Sequence, residues 1–122
     1  MAVLSTALFI IGAIAAGLFA CYLVTITFSW LKNKIAIKSA EKRVKSVVVA
    51  DMENLVINSN NKISLDELNN ITGGRRSVVI AGVDENNRIV GNVEINTDKN
   101  DYLDPDVQEL LGREKTVVVE CN

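Results

Sequence analysis

The first thirty residues carry no charged side chain, and this run limits what the chain can fold into more than any other feature. Residues 3–30 are almost entirely Leu, Ile, Val, Ala, Gly and Phe, with a few Ser and Thr. A helix needs roughly 20 apolar residues to cross the hydrocarbon core of a bilayer. Only a helix satisfies its own backbone within such a segment. The run therefore predicts a transmembrane helix over residues 1–30.

Basic side chains follow this run closely and predict its orientation. Six Lys or Arg residues lie within residues 31–45, whereas only the terminal amine precedes the run. The excess of positive charge on the cytoplasmic side of membrane helices places the N-terminus outside and the C-terminal domain in the cytoplasm. A single-pass membrane protein is expected, with the lipid bilayer as a partner. The side chains predicted to contact lipid headgroups, at about 1 kcal/mol each, are Lys32, Lys34, Lys38 and Lys42.

The rest of the composition excludes several classes of function. Residues 51–122 carry seven basic and fourteen acidic side chains, a net charge of −7, which argues against nucleic acid as a partner. The chain has no histidine, the commonest general base and metal ligand. Its two cysteines, Cys21 and Cys121, are too far apart for a disulfide framework. We therefore expect a non-enzymatic protein without catalytic residues, cofactor or metal.

Residues 31–57 contain neither Gly nor Pro and predict a basic amphipathic juxtamembrane helix that continues the span. Their apolar side chains are separated mostly by three or four positions, which is helical periodicity. The run Val47-Val48-Val49 argues against a helix, because β-branched residues lose rotamer freedom there. Such a helix would pack either on its own domain or on a second copy, and the sequence leaves both open. The apolar positions are Ile37, Ala40, Val44, Val47, Val48, Met52 and Leu55.

Residues 58–122 predict a small acidic α+β domain after a polar break at residues 58–61. Ser64 and Glu67 form a capping box at the start of a short helix. Two β-branched runs joined by a five-residue polar loop predict a hairpin. Asp104 and Pro105 begin a crossover helix, and a third strand follows near the end of the chain. The predicted elements are strands Ser77–Val83, Ile89–Ile95 and Thr116–Glu120, with a helix from Pro105 to Leu111.

Small residues recur within the first apolar run and predict a face for helix packing. Gly12, Ala16 and Ala20 are spaced by four positions, with Ala13 and Gly17 beside them. Such spacing lets two membrane helices approach closely, although Gly and Ala are common in membrane helices in any case. We expect a homo-oligomer or an association with other membrane-protein subunits through this face.

The sequence Gly73-Gly74-Arg75-Arg76 is the best candidate for a partner or anion contact. Glycine-rich backbone forms anion-binding concavities, and paired arginines suit carboxylate or phosphate. The segment lacks the spacing and the Lys-Ser/Thr of a P-loop, and a helix stop followed by a strand explains it more simply. An oxygen-rich run from Asp98 to Asp106 resembles a cation loop. Acidic residues near a helix N-terminus explain that run without a metal.

Two functions follow from these features. The first is a non-enzymatic structural or accessory subunit of a membrane-embedded assembly that associates with itself. The alternative is a membrane-tethered regulatory or adaptor module. Its cytoplasmic domain would bind a soluble partner or an anionic ligand through Arg75 and Arg76.

Overall fold

A mixed sheet of five strands is the centre of the structure, a computed structural model that describes residues 2–57, 62–113 and 115–121. The strand order is β1-β4-β3-β2-β5, so β1 and β5 are the two edges. β1 runs parallel to β4, and every other neighbouring pair is antiparallel. The strands are β1 (Phe19–Val24), β2 (Ser46–Asp51), β3 (Ser77–Val83), β4 (Ile89–Asp98) and β5 (Thr116–Glu120).

Helices cover both faces of this sheet and divide the buried side chains into two cores. The first core lies under α1, α3 and α4 and contains Ile10, Val48 and Ile95. The second core lies under α2 and α5 and contains Leu31 and other residues of the alternate strand positions. The fold is therefore a three-layer α+β arrangement. The helices are α1 (Ala2–Ala15), α2 (Phe28–Ser39), α3 (Met52–Ile57), α4 (Leu65–Thr72) and α5 (Pro105–Leu111).

The first apolar run forms a helix, a strand and the start of a second helix, so the predicted transmembrane helix is wrong. α1 ends in two hydrogen bonds typical of a Schellman motif. Leu18 N–H donates to Ala13 C=O at 2.9 Å, and Gly17 N–H donates to Ile14 C=O at 3.0 Å. Gly17 has φ +81°, which a residue without a Cβ adopts without strain. The chain then turns into β1.

The prediction of a single-pass membrane protein, with its N-terminus outside and its C-terminal domain in the cytoplasm, is contradicted by this arrangement. Across the described ranges, no helix combines the length and the apolar character needed to cross a bilayer. Hydropathy measured the apolar content of residues 3–30 correctly. Hydropathy does not show whether an apolar segment is buried in lipid or against a sheet. Ile10, Ile11 and Ile14 are buried in the first core. The peptide groups of β1 find their partners in β4 rather than within a helix.

The predicted juxtamembrane helix over residues 31–57 is also wrong. This segment forms α2, β2 and α3, with a turn between the first two in which Arg43 has φ +74°. Val48 and Ala50 point into the first core, while Val47 and Val49 point into the second. A strand that is buried on both faces has a continuous run of apolar residues. Some residues of such a run are three or four positions from other apolar residues, which resembles helical periodicity. The β-branched run was the correct signal.

The helices and strands predicted for the C-terminal part are present, except that β4 continues beyond Ile95 to Asp98. Ser64 caps α4, with Glu67 N–H donating to its Oγ at 3.1 Å, and Asp104 caps α5 by accepting from Asp106 N–H at 3.0 Å. β3 and β4 form the hairpin, and α5 leads into β5. The polar break at residues 58–61 lies outside the described residues. These strands share one sheet with β1 and β2, so segments from the whole chain build the same two cores.

Candidate functional site

The candidate site is a cavity of about 320 Å³ at one end of the sheet, between the strand ends and α4. β2 runs antiparallel to β3, so its last residue, Asp51, lies beside the start of β3. α3 begins directly after Asp51, and α4 closes the opposite wall with Asn69. The polar residues lining this sheet-end cavity include Asp51, Glu53, Asn69, Arg75 and Arg76.

Both predicted arginines line the cavity because α4 ends directly before them. Gly73 caps α4 in the left-handed conformation at φ +66°, and Gly74 follows at φ +78°. The backbone of Arg76 is then fixed on both sides. Its N–H donates to Asp101 Oδ1 at 2.7 Å, and its C=O accepts from Asp98 N–H at 2.9 Å. The helix stop predicted from the glycines therefore exists, and it also places both arginines at the cavity.

Neither guanidinium group forms a salt bridge within the part of the chain that the structure describes. The ion pairs there involve Lys34 and Lys38, whose partners are Glu41 and Glu94. Arginine keeps its charge under all ordinary conditions. The sheet-end cavity therefore presents two positive charges that the fold does not use for its own ion pairs.

Asp51 is the one strongly buried carboxylate of the cavity, and its exposed fraction is 6%. Burial raises the pKa of this carboxyl. The charge of Arg76 and a hydrogen bond from Asn54 N–H oppose that shift but do not cancel it. The bond from Asn54 places Asp51 at the start of α3, where an acidic side chain satisfies free backbone donors. Asp51 therefore lies in the cavity as a carboxyl whose burial opposes its ionised form.

A second depression adjoins the cavity and adds another cation. It has a volume of about 260 Å³, shares Asp51, Glu53 and Arg76 with the first, and is also lined by Lys115. Lys115 comes directly before β5, which pairs with β2. No local pattern joins Asp51 or Lys115 to the arginines, because their proximity depends on the order of the strands. The only local signal was a charged residue at the end of an apolar run.

The lysines predicted to contact lipid headgroups do not form a free basic row. Lys34 Nζ lies 2.8 Å from Glu94 Oε1, and Lys38 Nζ lies 3.4 Å from Glu94 Oε2. Lys38 is buried, Lys32 lies 5.5 Å from the centre of the Phe28 ring, and Lys42 is exposed. The headgroup contact was inferred from a span that is not formed, and two of these lysines stabilise the packing of α2 on β4.

The small residues predicted to form one helix face lie on different elements. Gly12 and Ala13 belong to α1, Ala16 and Gly17 lie in the turn after it, and Ala20 lies in β1. Ala13 packs against the first core. These residues therefore do not share a helical surface. Homo-oligomer formation stays a prediction, but these small residues no longer support it.

The oxygen-rich run from Asp98 onward serves the fold. Asp98 is 2% exposed; its Oδ2 accepts from Ile26 N–H at 2.7 Å, and its Oδ1 accepts from Asn100 N–H at 2.8 Å and Tyr102 N–H at 3.3 Å. Asp101 accepts from the Arg76 backbone, as described above. Among the residues whose placement is described, no three His, Cys, Asp or Glu side chains converge as a metal site would require.

Comparison with known proteins adds no family to this picture. No protein-family model matches the chain, and neither a curated protein nor a solved structure matches it. The functional argument therefore rests on the sheet-end cavity and its surroundings.

Proposed function

We propose that this protein is a non-enzymatic binding module that holds a carboxylate or phosphate group of a partner in the sheet-end cavity. Arg75 and Arg76 are the proposed ligands of that group. One observation carries the proposal: Arg75 and Arg76 line one cavity of about 320 Å³, and neither forms a salt bridge among the described residues.

The chemistry of the two side chains supports this function. Arginine presents a planar fork of donors that matches carboxylate and phosphate oxygens. Hydrogen bonds between charged groups are shorter and roughly twice as strong as neutral ones. The backbone bonds that fix Arg76 reduce the ordering needed when an anion binds, because part of the site is already in place.

Titration of the full chain with inorganic phosphate and with acetate tests the proposal. Backbone amide resonances of Gly74, Arg76 and Ser77 are expected to shift in a saturable manner. Arg75→Gln and Arg76→Gln are each expected to weaken binding by about tenfold. A hydrogen bond to a charged group contributes about 1.5–3 kcal/mol, and 1.4 kcal/mol corresponds to tenfold.

Arg88→Gln is the matched control, because Arg88 is exposed in the β3–β4 turn at the opposite end of the sheet. This variant loses the same charge and is expected to bind both anions as the parent does. If it weakens binding as much as Arg76→Gln, the effect is general charge attraction and the site is wrong. Absence of saturable shifts with either anion also refutes the proposal.

A further inference from the structure

The outer edge of β1 differs from a protected sheet edge. Within the described ranges β1 pairs only with β4, and its six residues include no charge, Pro or Gly. Tyr22 is 47% exposed and Leu23 is 55% exposed. Natural edge strands are usually blunted by Lys, Pro or a bulge. The opposite edge, β5, is shorter and ends at the charged Glu120. β1 is therefore the edge that is open to pairing.

The hydrogen bonds to β4 show which peptide groups of β1 are free for such pairing. The C=O groups of Leu18 and Val24 accept from Val93 and Lys99 N–H. Peptide groups of successive strand residues point to opposite sides, so positions of the same parity face β4. The N–H and C=O groups of the intervening odd-numbered positions then face outward. These positions are Phe19, Cys21 and Leu23.

A groove lies beside this edge and ends at a positive charge. It has a volume of about 270 Å³ and lies between β1 and the end of α4. Cys21, Leu23 and Ile71 supply its apolar part, and Arg75 lies at the same groove. Leu23 pairs with Thr97, which pairs with the first residue of β3. Arg75 precedes β3 by two positions, so it lies at the carboxyl end of β1.

We propose that β1 binds an extended apolar peptide segment of a partner protein as a sixth strand, with a carboxylate of that segment on Arg75. The occupant follows from charge complementarity, because an uncharged strand edge and groove lead to one unpaired guanidinium. A segment that runs parallel to β1 brings its carboxyl end to Arg75. Backbone pairing supplies affinity and the groove selects side chains, as in other strand additions. This inference rests on the proposed function, since it uses the same arginine.

The test uses a fluorescent peptide of alternating Val and Thr with a free carboxyl end, titrated with the full chain. Two further peptides are compared with it. The first has a C-terminal amide and so lacks the carboxylate, and the second is the same amide with a penultimate Glu, which supplies a carboxylate on a side chain. The free acid is expected to bind at least about tenfold more tightly than the plain amide, because the amide lacks one hydrogen bond to a charged group. Tight binding of the Glu peptide alone assigns the carboxylate to a side chain. Equal binding of all three peptides, or binding of none, overturns the proposal.

Leu23→Lys tests the edge, with Ile37→Lys as its matched control. Ile37 is 56% exposed, close to the 55% of Leu23, but lies on α2. Leu23→Lys is expected to weaken peptide binding by about tenfold, because a charge at an edge opposes pairing with an apolar strand; Ile37→Lys is expected to leave binding unchanged. Equal effects of the two variants contradict an edge site.

Hydrogen exchange gives a readout that an apolar contact alone does not change. The outward N–H groups of Cys21 and Leu23 are expected to exchange about tenfold more slowly with saturating peptide. If phosphate still binds through Arg75 and Arg76 but these amides stay unprotected, the strand addition is wrong and the anion site stands. If phosphate does not bind, the proposed function itself fails.

Discussion

Gly12 and Gly17 are expected to respond in opposite directions to replacement by Ala. Gly12 lies inside α1, and a Cβ built on it meets no atom within 4 Å. Ala is favoured over Gly there by about 0.8–1.0 kcal/mol. Gly17 lies in the left-handed region at φ +81°. The left-handed conformation costs other residues roughly 1–2 kcal/mol, partly offset by about 0.4–1 kcal/mol from the reduced entropy of the unfolded chain.

The two effects give a difference of about 0.8–2.6 kcal/mol in unfolding free energy between the variants. Urea unfolding followed by the fluorescence of Trp30, the single tryptophan, measures it. We expect a higher midpoint for Gly12→Ala and a lower one for Gly17→Ala, with unchanged slopes. In one continuous helix both substitutions are stabilising. A rise in both midpoints therefore refutes the turn after α1.

Three further substitutions test the packing and the site. Asp98→Ala removes the acceptor of three backbone N–H groups and is expected to destabilise the fold by about 3–5 kcal/mol in urea unfolding; a loss below about 1 kcal/mol contradicts these bonds. Gly82→Ala places a Cβ 2.8 Å from Val44 Cγ2, and this contact is expected to destabilise the fold by about 1–3 kcal/mol. In a double-mutant cycle Val44→Ala is expected to relieve that cost, whereas additive effects of the two substitutions argue against the contact. Burial raises the pKa of Asp51 above 3.8, so the stability that its protonated form contributes is complete below that pH and is lost as pH rises through the folded pKa. Asp51→Asn is expected to remove that decline in urea midpoints and to strengthen phosphate binding at neutral pH, and an unchanged pH profile contradicts the buried carboxyl.

Local signals in the sequence predicted the second half of the fold, because each element there carries its own boundary. Ser64 and Asp104 supply helix caps, and the polar loop before Ile89 separates two β-branched runs. These features act over a few residues and are readable without knowing what lies beside them. The predicted strand from Ile89 stopped at Ile95 and missed the polar end of β4. Asn96 and Asp98 are buried there by neighbouring elements that the sequence does not show.

The first half could not be predicted in the same way, since apolar content alone does not show whether a segment is buried in a bilayer or in a protein core. Residues 3–30 satisfy a hydropathy test for a bilayer, but Gly17 ends the helix and Thr27 caps the next one, accepting from Trp30 N–H at 3.1 Å. The spacing of small residues predicts that Gly17 is a packing residue, whereas in the structure it ends α1. For Val47–Ala50, the β-branched composition outweighs the apparent periodicity because both faces are covered.

The candidate site was predicted in part. Arg75 and Arg76 follow a recognisable helix stop, and their charge indicated an anion contact from the sequence alone. Asp51, Lys115 and the β1 edge belong to the same region only through the strand order β1-β4-β3-β2-β5. Strand order is decided by the packing of distant segments, so no local pattern reveals it.

A spin label on Cys21 tests most directly whether the first apolar run supplies the edge strand on which this account depends. Cys121→Ser leaves Cys21 as the single thiol for labelling. Cys21 lies opposite Ile95, one strand spacing or about 4.8 Å away, whereas β5 lies four spacings or roughly 19 Å away. We expect amide resonances around Ile95 to broaden most and those of β5 least. The loss of intensity is measured against the same protein with the label reduced. An equal loss in β4 and β5 contradicts a sheet that contains β1.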